Sequence, residues 1–466
     1  EQFKEGSSDG DAMRYTIASQ QVNIIRYLQP LRVLVVGTTG GEFAASSSAT
    51  GEPLTPTNVQ IKRQTTYGAS TVNPIQSGNA VLFLQRAKRK IRELVYNFDV
   101  DGYIAPDLTI LAEHVSEGGF DDMDIQQEPD NIIWAVRADG QLCGLTYRRE
   151  EQVVAWHRHK IAGTFTGVHG SLDSATYDYG IVESVASIPS DLDEDDVYVV
   201  VKRTINSTTK RYIEKLAPLN FGNDVADAIF IDGSLSYTGV TNTLNGEINT
   251  TATTITLTSS SSFSSSGAVK IGQEIITYTG NSTNQLTGCT RDVAGLNASH
   301  ADDATVTQAV NSFTNLHHLE GQTVSILGDG ATHPDKTVSS GAISLDRYVT
   351  KAHVGLNYTS TLRTMRVEAG SVDGTAQGKV KRLHHATVRL FRSVGVKVGE
   401  STTVNDLIPF RSSADQMDQP ISLFTGDKQI EFDSGFDTDG FVTVIQDQPL
   451  PLTLLGIYIR LQTFDT

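Results

Sequence analysis

The stretch NIIWAVRADGQLCGLTYRREEQVVAWHRH, residues 131–159, limits the possible folds more than any other part of the chain. Residues 132–136 form a short apolar run. Asp139 and Gly140 then supply a tight hairpin turn, because glycine adopts positive φ without a Cβ clash. Residues 142–147 make a second run, residues 148–152 a polar turn, and residues 153–156 a third run. Three short antiparallel strands are expected. Both tryptophans, Trp134 and Trp156, lie in this stretch. Each such ring can bury on the order of 150–250 Å², so the stretch should anchor a local core.

The same outline recurs as VLVVGTTGGEFAA at 33–45, AVLFLQRAKRKIRELVYN at 80–97 and VYVVVKRTINSTTKRYIEKL at 197–216, the last with a turn at Asn206 and Ser207. The units are roughly 45–65 residues apart, near or above the ~40–50 residues of propeller blades. One small sheet cannot bury both of its faces. Packing several sheets radially does so and shortens their exposed edges. The expected fold is therefore all-β, a propeller-like array of antiparallel sheets, with an open sandwich as the alternative. One short helix is expected within 103–115, begun after Pro106 with Asp107 as its N-cap.

From Thr241 the composition shifts to Thr and Ser, through to Ala309. VKIGQEIITYTG and QLTGCTRD are its clear strands, and residues 258–266 have a flexible-loop composition. Three parts follow: blades over 1–240, an inserted small β module over 241–309, and returning sheet over 310–466. Gly37–Gly41 reads as a hairpin turn, since it lacks the phosphate-cradling Gly-x-x-x-x-Gly-Lys pattern. Residues 15–25 read as strand and 161–180 as a long loop. Hairpins should turn at Gly328-Asp329-Gly330 and Ser340-Gly341, and residues 440–445 and 452–461 should be the last strands. The polar opening at Glu1, without an initiator Met, suggests the ordered or processed part of a longer chain, whereas the end reads as a finished strand.

The chain of 466 residues carries a formal charge of −17. That balance argues against a general DNA binder, which needs clustered Lys and Arg against phosphate. Cys143 and Cys289 are the only cysteines and lie in different segments, so no disulfide framework is indicated. No run reaches the ~18 apolar residues of a membrane-spanning helix.

Candidate chemistry is sparse. His157 and His159 share a strand face and could share a metal, but no third ligand stands at a recognisable spacing, so interface or solvent-facing histidines are the better reading. His317-His318 and His384-His385 would face opposite sides in strands. Asp99 and Asp101, and Asp191, Asp193 and Asp195, superficially resemble calcium loops without the full ligand set; solvated acidic turns are expected. Arg86, Lys88, Arg89, Lys90 and Arg92 form one basic cluster and Lys379, Lys381, Arg382, Arg389 and Arg392 another. No nucleophile elbow or paired-carboxylate signature stands out. No catalytic, metal or cofactor residue is assigned and no cofactor is expected.

Six long segments, at 64–94, 101–115, 126–159, 210–218, 318–338 and 369–393, together resemble the tail nozzle or tail hub proteins of short-tailed bacteriophages. The 241–309 stretch is similar to a small β module scattered among phage tail and fibre proteins. Family members extend further upstream than Glu1, and 161–180 and 241–309 look like local additions. The resemblance implies a virion structural protein without enzymatic activity, made in the host cytoplasm and placed in the tail. Its subunits would form a cyclic homo-oligomer, typically a hexamer, below the portal and adaptor. The ring would surround and gate the DNA exit channel and dock tail fibres. Duplex DNA would pass without specific binding, and the basic clusters would meet acidic partners on neighbouring subunits, with DNA contact as their alternative. The competing functions are a receptor- or glycan-binding tail protein and, behind it, a polysaccharide-degrading propeller enzyme.

Overall fold

The computed structural model describes residues 4–17, 19, 22–49, 51–170, 175–191, 193–368, 375–413, 415, 420–432 and 435–464. These residues are all-β: many small antiparallel sheets, two 3-10 turns and no α-helix. The chain divides into two compact units, Glu1–Thr204 with Thr209–Leu216, and Ile205–Thr208 with Ala217–Thr466.

The first unit is a succession of meanders. Ile25–Pro30, Leu34–Thr38, Gly41–Ser47 and Val59–Thr65 form the first sheet, strand next to strand in chain order. Ile75–Ser77, Ala80–Leu84, Ile91–Asn97 and Gly102–Ile104 form the second. Phe120–Gln126, Ile132–Arg137, Leu142–Arg148 and Val153–His159 form the third. After the small hairpin Phe165–Gly167 and Ala175–Tyr177, the fourth consists of Ile181–Ile188, Asp196–Ile205 and Thr208–Lys215.

Alternation along the strands explains how these sheets stack. Successive side chains on a strand point to opposite faces. Val81 and Phe83 join Tyr27, Val35 and Ala44 of the first sheet in one core. Leu82 and Leu84, one residue out of step, join Phe120, Ile133, Cys143 and Leu145 of the third sheet in another. The third sheet repeats the device, turning Trp134, Val136 and Leu142 toward Val182, Val197, Val199 and Val201 of the fourth. A sheet covered on both faces needs a continuous apolar run, which is why residues 80–84 read AVLFL without polar alternation.

The register separates the two tryptophans. Trp134 stands opposite Gly144, whereas Trp156 stands opposite Leu145, so the rings lie on opposite faces of one sheet. Trp156 stacks on Phe120 at 5.6 Å and donates Nε1–H to the Leu108 carbonyl at 2.9 Å. Trp134 donates to Gln126 Oε1 at 3.0 Å within the other core. They anchor two cores, not one.

In the second unit, Asp232–Thr238, Lys351–Leu356, Thr323–Gly328 and Ala331–Thr337 form one sheet. The Thr/Ser-rich stretch makes a sheet of Thr241–Thr243, Thr305–Phe313, Gly267–Ile271 and Glu274–Tyr278, with a three-stranded sheet of Thr254–Thr256, Gln285–Thr287 and Gly280–Ser282. Leu244, Ile255, Leu257, Val269, Ile276 and Leu286 meet in its core. Thr305–Phe313 is shared. Its first half pairs with Gly267–Ile271 and its second half with Ile343–Val349. Toward the C-terminus, Ser360–Arg363, Thr443–Gln446, Lys397–Gly399 and Asn405–Leu407 make one sheet, and Phe424–Glu431, Val380–Ser393 and Leu454–Phe464 another.

Some local expectations change. Residues 107–118 form turns and no helix, and Asp107 Oδ1 accepts from Thr109 N at 2.9 Å, bracing a turn instead of capping a helix. Among the described residues the first regular strand starts at Ile25; residues 18, 20 and 21 of the expected 15–25 strand lie outside them. The 161–180 stretch contains the two-stranded hairpin named above; residues 171–174 of it, and residues 369–374 of the basic 369–393 segment, lie outside the described residues. The Asn206 and Ser207 turn is formed, both residues at positive φ, 47° and 58°.

Candidate functional site

The histidine pair occupies the edge strand of the third meander. His157 and His159 alternate with outward-facing Arg158, so both rings lie on the face that carries Trp134. His157 Nδ1 and His159 Nε2 are 2.6 Å apart, a hydrogen bond in which one ring donates. His157 Nε2 is 3.3 Å from Thr146 Oγ1. The Trp134 ring packs 4.9 Å from His159 and 5.9 Å, edge-on, from His157. Gly144, directly across from His157, makes room for this: a Cβ there would lie 2.0 Å from His157 Cε1. Burial lowers the pKa of both rings, and that of His159, with His157 adding to the effect, falls to about 4. Both imidazoles are therefore neutral near pH 7.

This is not the geometry of a metal clamp. Two nitrogens on one tetrahedral zinc would stand roughly 3.3 Å apart. Among the described residues no group of three or more His, Cys, Asp or Glu is placed to hold a metal ion. Cys143 and Cys289 are free and buried.

The remaining sequence candidates scatter. His317 and His318 lie in a 3-10 turn, not a strand, and His318 Nε2 bonds the Gly233 carbonyl at 2.8 Å. His385 approaches Glu431 at 3.7 Å, and His384 sits beside it in the same strand. Asp101 accepts from the Tyr96 hydroxyl at 2.6 Å, bracing a turn from which Asp99 projects. Asp195 is not a free acidic turn: Oδ2 accepts from the backbone N–H groups of Gln127 and Glu128 at 2.9 and 3.1 Å. Asp191 and Asp193 are exposed.

Two of the five residues of the first basic cluster are paired with carboxylates of their own unit. Lys88 reaches Asp121 and Lys90 reaches Asp107, each at 2.8 Å. Arg92 is buried, donates to Gln85 Oε1 and the Ala105 carbonyl at 2.7 Å each, and lies 3.5 Å from the centre of the Tyr67 ring. Arg86 and Arg89 remain exposed at the turn. In the second cluster Lys381 is buried with Nζ donating to the Thr438 carbonyl at 2.9 Å. Arg389 grips Asp427 through two 2.8 Å bonds, and Arg392 lies over Phe221 at 4.9 Å. Within this cluster, then, Lys381 is withdrawn from the surface and Arg389 is paired.

Two polar assemblies had no sequence signal, because their members are far apart in the chain. In the Thr/Ser-rich stretch, Glu274 is fully buried and held by Arg291 at 2.7 and 2.6 Å, by His300 Nε2 at 2.8 Å and by the Ala298 N–H at 3.2 Å. Burial alone would raise its pKa, but these donors overcome that and bring it down to about 2. In the first unit, Lys202, Glu183, Arg211 and His169 line a cleft of about 440 Å³.

No family model matches the chain, and no curated protein matches it. No helix among the described residues is long and apolar enough to cross a membrane.

Proposed function

We propose that the chain is a structural subunit of a short-tailed phage tail nozzle, a cyclic homo-oligomer, hexameric by family resemblance, that encloses and gates the DNA exit channel. The observation that carries this reading is where the nozzle-like segments fall. Residues 64–94, 101–115 and 126–159 build the second and third meanders and the core between them. The finer architecture we propose is a propeller-like arrangement of these meanders. Large apolar side chains stand out at turns, Leu111 at 93% exposure and Phe98 at 87%, as lateral contacts between subunits require. Portal-adaptor ring and tail fibres would be its partners in the virion tail.

The role is mechanical and not enzymatic. DNA slides where the wall is acidic and sticks where counterions are released by a basic one. Internal pairing of Lys88, Lys90 and Arg389 supports a sliding wall. Native mass spectrometry and negative-stain microscopy of the purified chain and of tail particles test the proposal. Closed rings are expected; a monomer throughout, with no ring in the tail, overturns it. The cleft beside Lys202 favours a second reading, a glycan-binding tail protein.

A further inference from the structure

We propose that the cleft beside Lys202, between the third and fourth meanders, binds a small carboxylate of the kind carried by acidic sugars. Lys202 lies on the strand Asp196–Ile205 with its side chain only 5% exposed. Its Nζ is 3.2 Å from Glu183 Oε1, 3.2 Å from His169 Nδ1 and 4.3 Å from the centre of the Phe165 ring. An ammonium has no lone pair, so His169 Nδ1 is the acceptor. The imidazole is then neutral and carries its proton on Nε2. Burial, with Lys202 beside it, lowers the His169 pKa and favours that state.

Glu183 is the acceptor most occupied here. Besides Lys202 it takes Arg211 Nε at 2.6 Å and Arg211 Nη2 at 3.2 Å, so one carboxylate serves two cations. The other lining charges are matched: Arg137 is held by Asp139, and Asp121 by Lys88 at 2.8 Å. One positive charge is left over, in a protein whose total is −17. What the cleft offers a ligand is the His169 Nε2–H and the Nη1 of Arg211, beside the positive charge of Lys202. Planar guanidinium beside an ammonium suits a carboxylate. Val168, 62% exposed, adds an apolar side chain to the same cleft. Its volume, about 440 Å³, falls in the range of roughly 300–1,000 Å³ usual for small-molecule sites. A carboxylate on a ring with an apolar face matches both features, and a neutral sugar matches only one.

The test is calorimetric titration of the full chain with sodium D-glucuronate at low ionic strength. D-glucose is the neutral control and inorganic phosphate the rival anion. Saturable binding of glucuronate is expected, with none for glucose over the same range and weaker binding of phosphate. Arg211→Gln, at an exposed position, should weaken glucuronate at least tenfold with an unchanged melting temperature. Lys202→Met should abolish binding; if it also unfolds the chain, Arg211→Gln decides alone. Absence of saturable glucuronate binding, equal binding of glucose, tighter binding of phosphate, or full affinity in Arg211→Gln each overturns the proposal.

Discussion

Acidification should weaken the third meander through His159, and the size of the effect follows from its surroundings. The ring is packed against Trp134 and hydrogen-bonded to His157, so a charge there would lose its hydration beside a second imidazole. Its pKa of about 4 in the fold compares with about 6.5 for a free histidine. The folded value is the lower one. Below pH 6.5 the unfolded chain therefore takes up a proton that the folded chain refuses. Stability falls as pH drops from about 6.5 to about 4 and levels off below that. At pH 4.5 the loss from this one group is about 2.5 kcal/mol relative to pH 7.5. His157, also lowered by burial, adds in the same direction.

Carboxylates titrate in the same range, so the measurement has to be a difference. Urea denaturation of the parent and of His159→Gln, each at pH 7.5 and 4.5, isolates the group. An amide keeps a partner for His157 Nδ1 but does not titrate. The parent should lose about 2.5 kcal/mol more than the variant between the two pH values. The difference is not smaller than the His159 contribution, because His157 protonates more easily once its neighbour is gone and so costs the variant less on acidification. Equal pH dependence in the two proteins, within about 0.5 kcal/mol, would refute the reasoning and leave His159 solvated in solution.

Three further outcomes follow from the packing. Trp134→Ala removes a ring that is 6% exposed and should cost ~3–5 kcal/mol in equilibrium denaturation; an unchanged midpoint would put the ring outside the core. Glu274→Gln leaves Arg291 buried beside a neutral amide and should cost about 3 kcal/mol. The Glu274 contribution is present above about pH 4.5 and is lost as pH falls toward 2, so parent and variant should converge in acid, which a pH series of melts checks. Excising residues 241–309 should leave the second unit with a cooperative melt, because Gln308 N bonds the Val240 carbonyl at 2.8 Å and the cut ends are already neighbours; a broad, non-cooperative transition would make the excised stretch part of the main core.

What could be read from residues alone was the local period. Apolar runs broken by Asp139-Gly140, Asn206-Ser207 and Asp329-Gly330 located three of the hairpins, because those turns need residues that tolerate positive φ. The strand Phe120–Gln126 was missed. Its residues, FDDMDIQ, look like an acidic loop, yet Met123 enters the core shared with the second sheet while Asp122 and Asp124 accept from Val185 N and Ser187 N at 3.1 and 2.7 Å. Those carboxylates replace ladder partners that only the fourth sheet supplies, so no local pattern marks them. The helix expected after Pro106 fails for a related reason: Ala112 and Val115 bury where a turn brings them, while Ile110 and Leu111 stay exposed, and no apolar stripe of helical period forms. The same limit hides the cleft. Lys202 meets Glu183 and His169 only after three segments come together.

The arrangement of charge ties these features to the proposed role. The basic residues of the turn between Ala80–Leu84 and Ile91–Asn97 look in sequence like a nucleic-acid patch. In the fold Lys88 and Lys90 are matched to carboxylates from the following segment, and Arg92 is sealed under Tyr67. Pairing of this kind contributes little stability where it is exposed. It does remove positive field from the surface, and counterion release on DNA depends on that field. Arg86 and Arg89 stay exposed in the turn. Under the ring proposal they are the residues of this cluster available to an acidic neighbour, and exchanging both for Glu would then disturb assembly while leaving the fold of the single chain untouched.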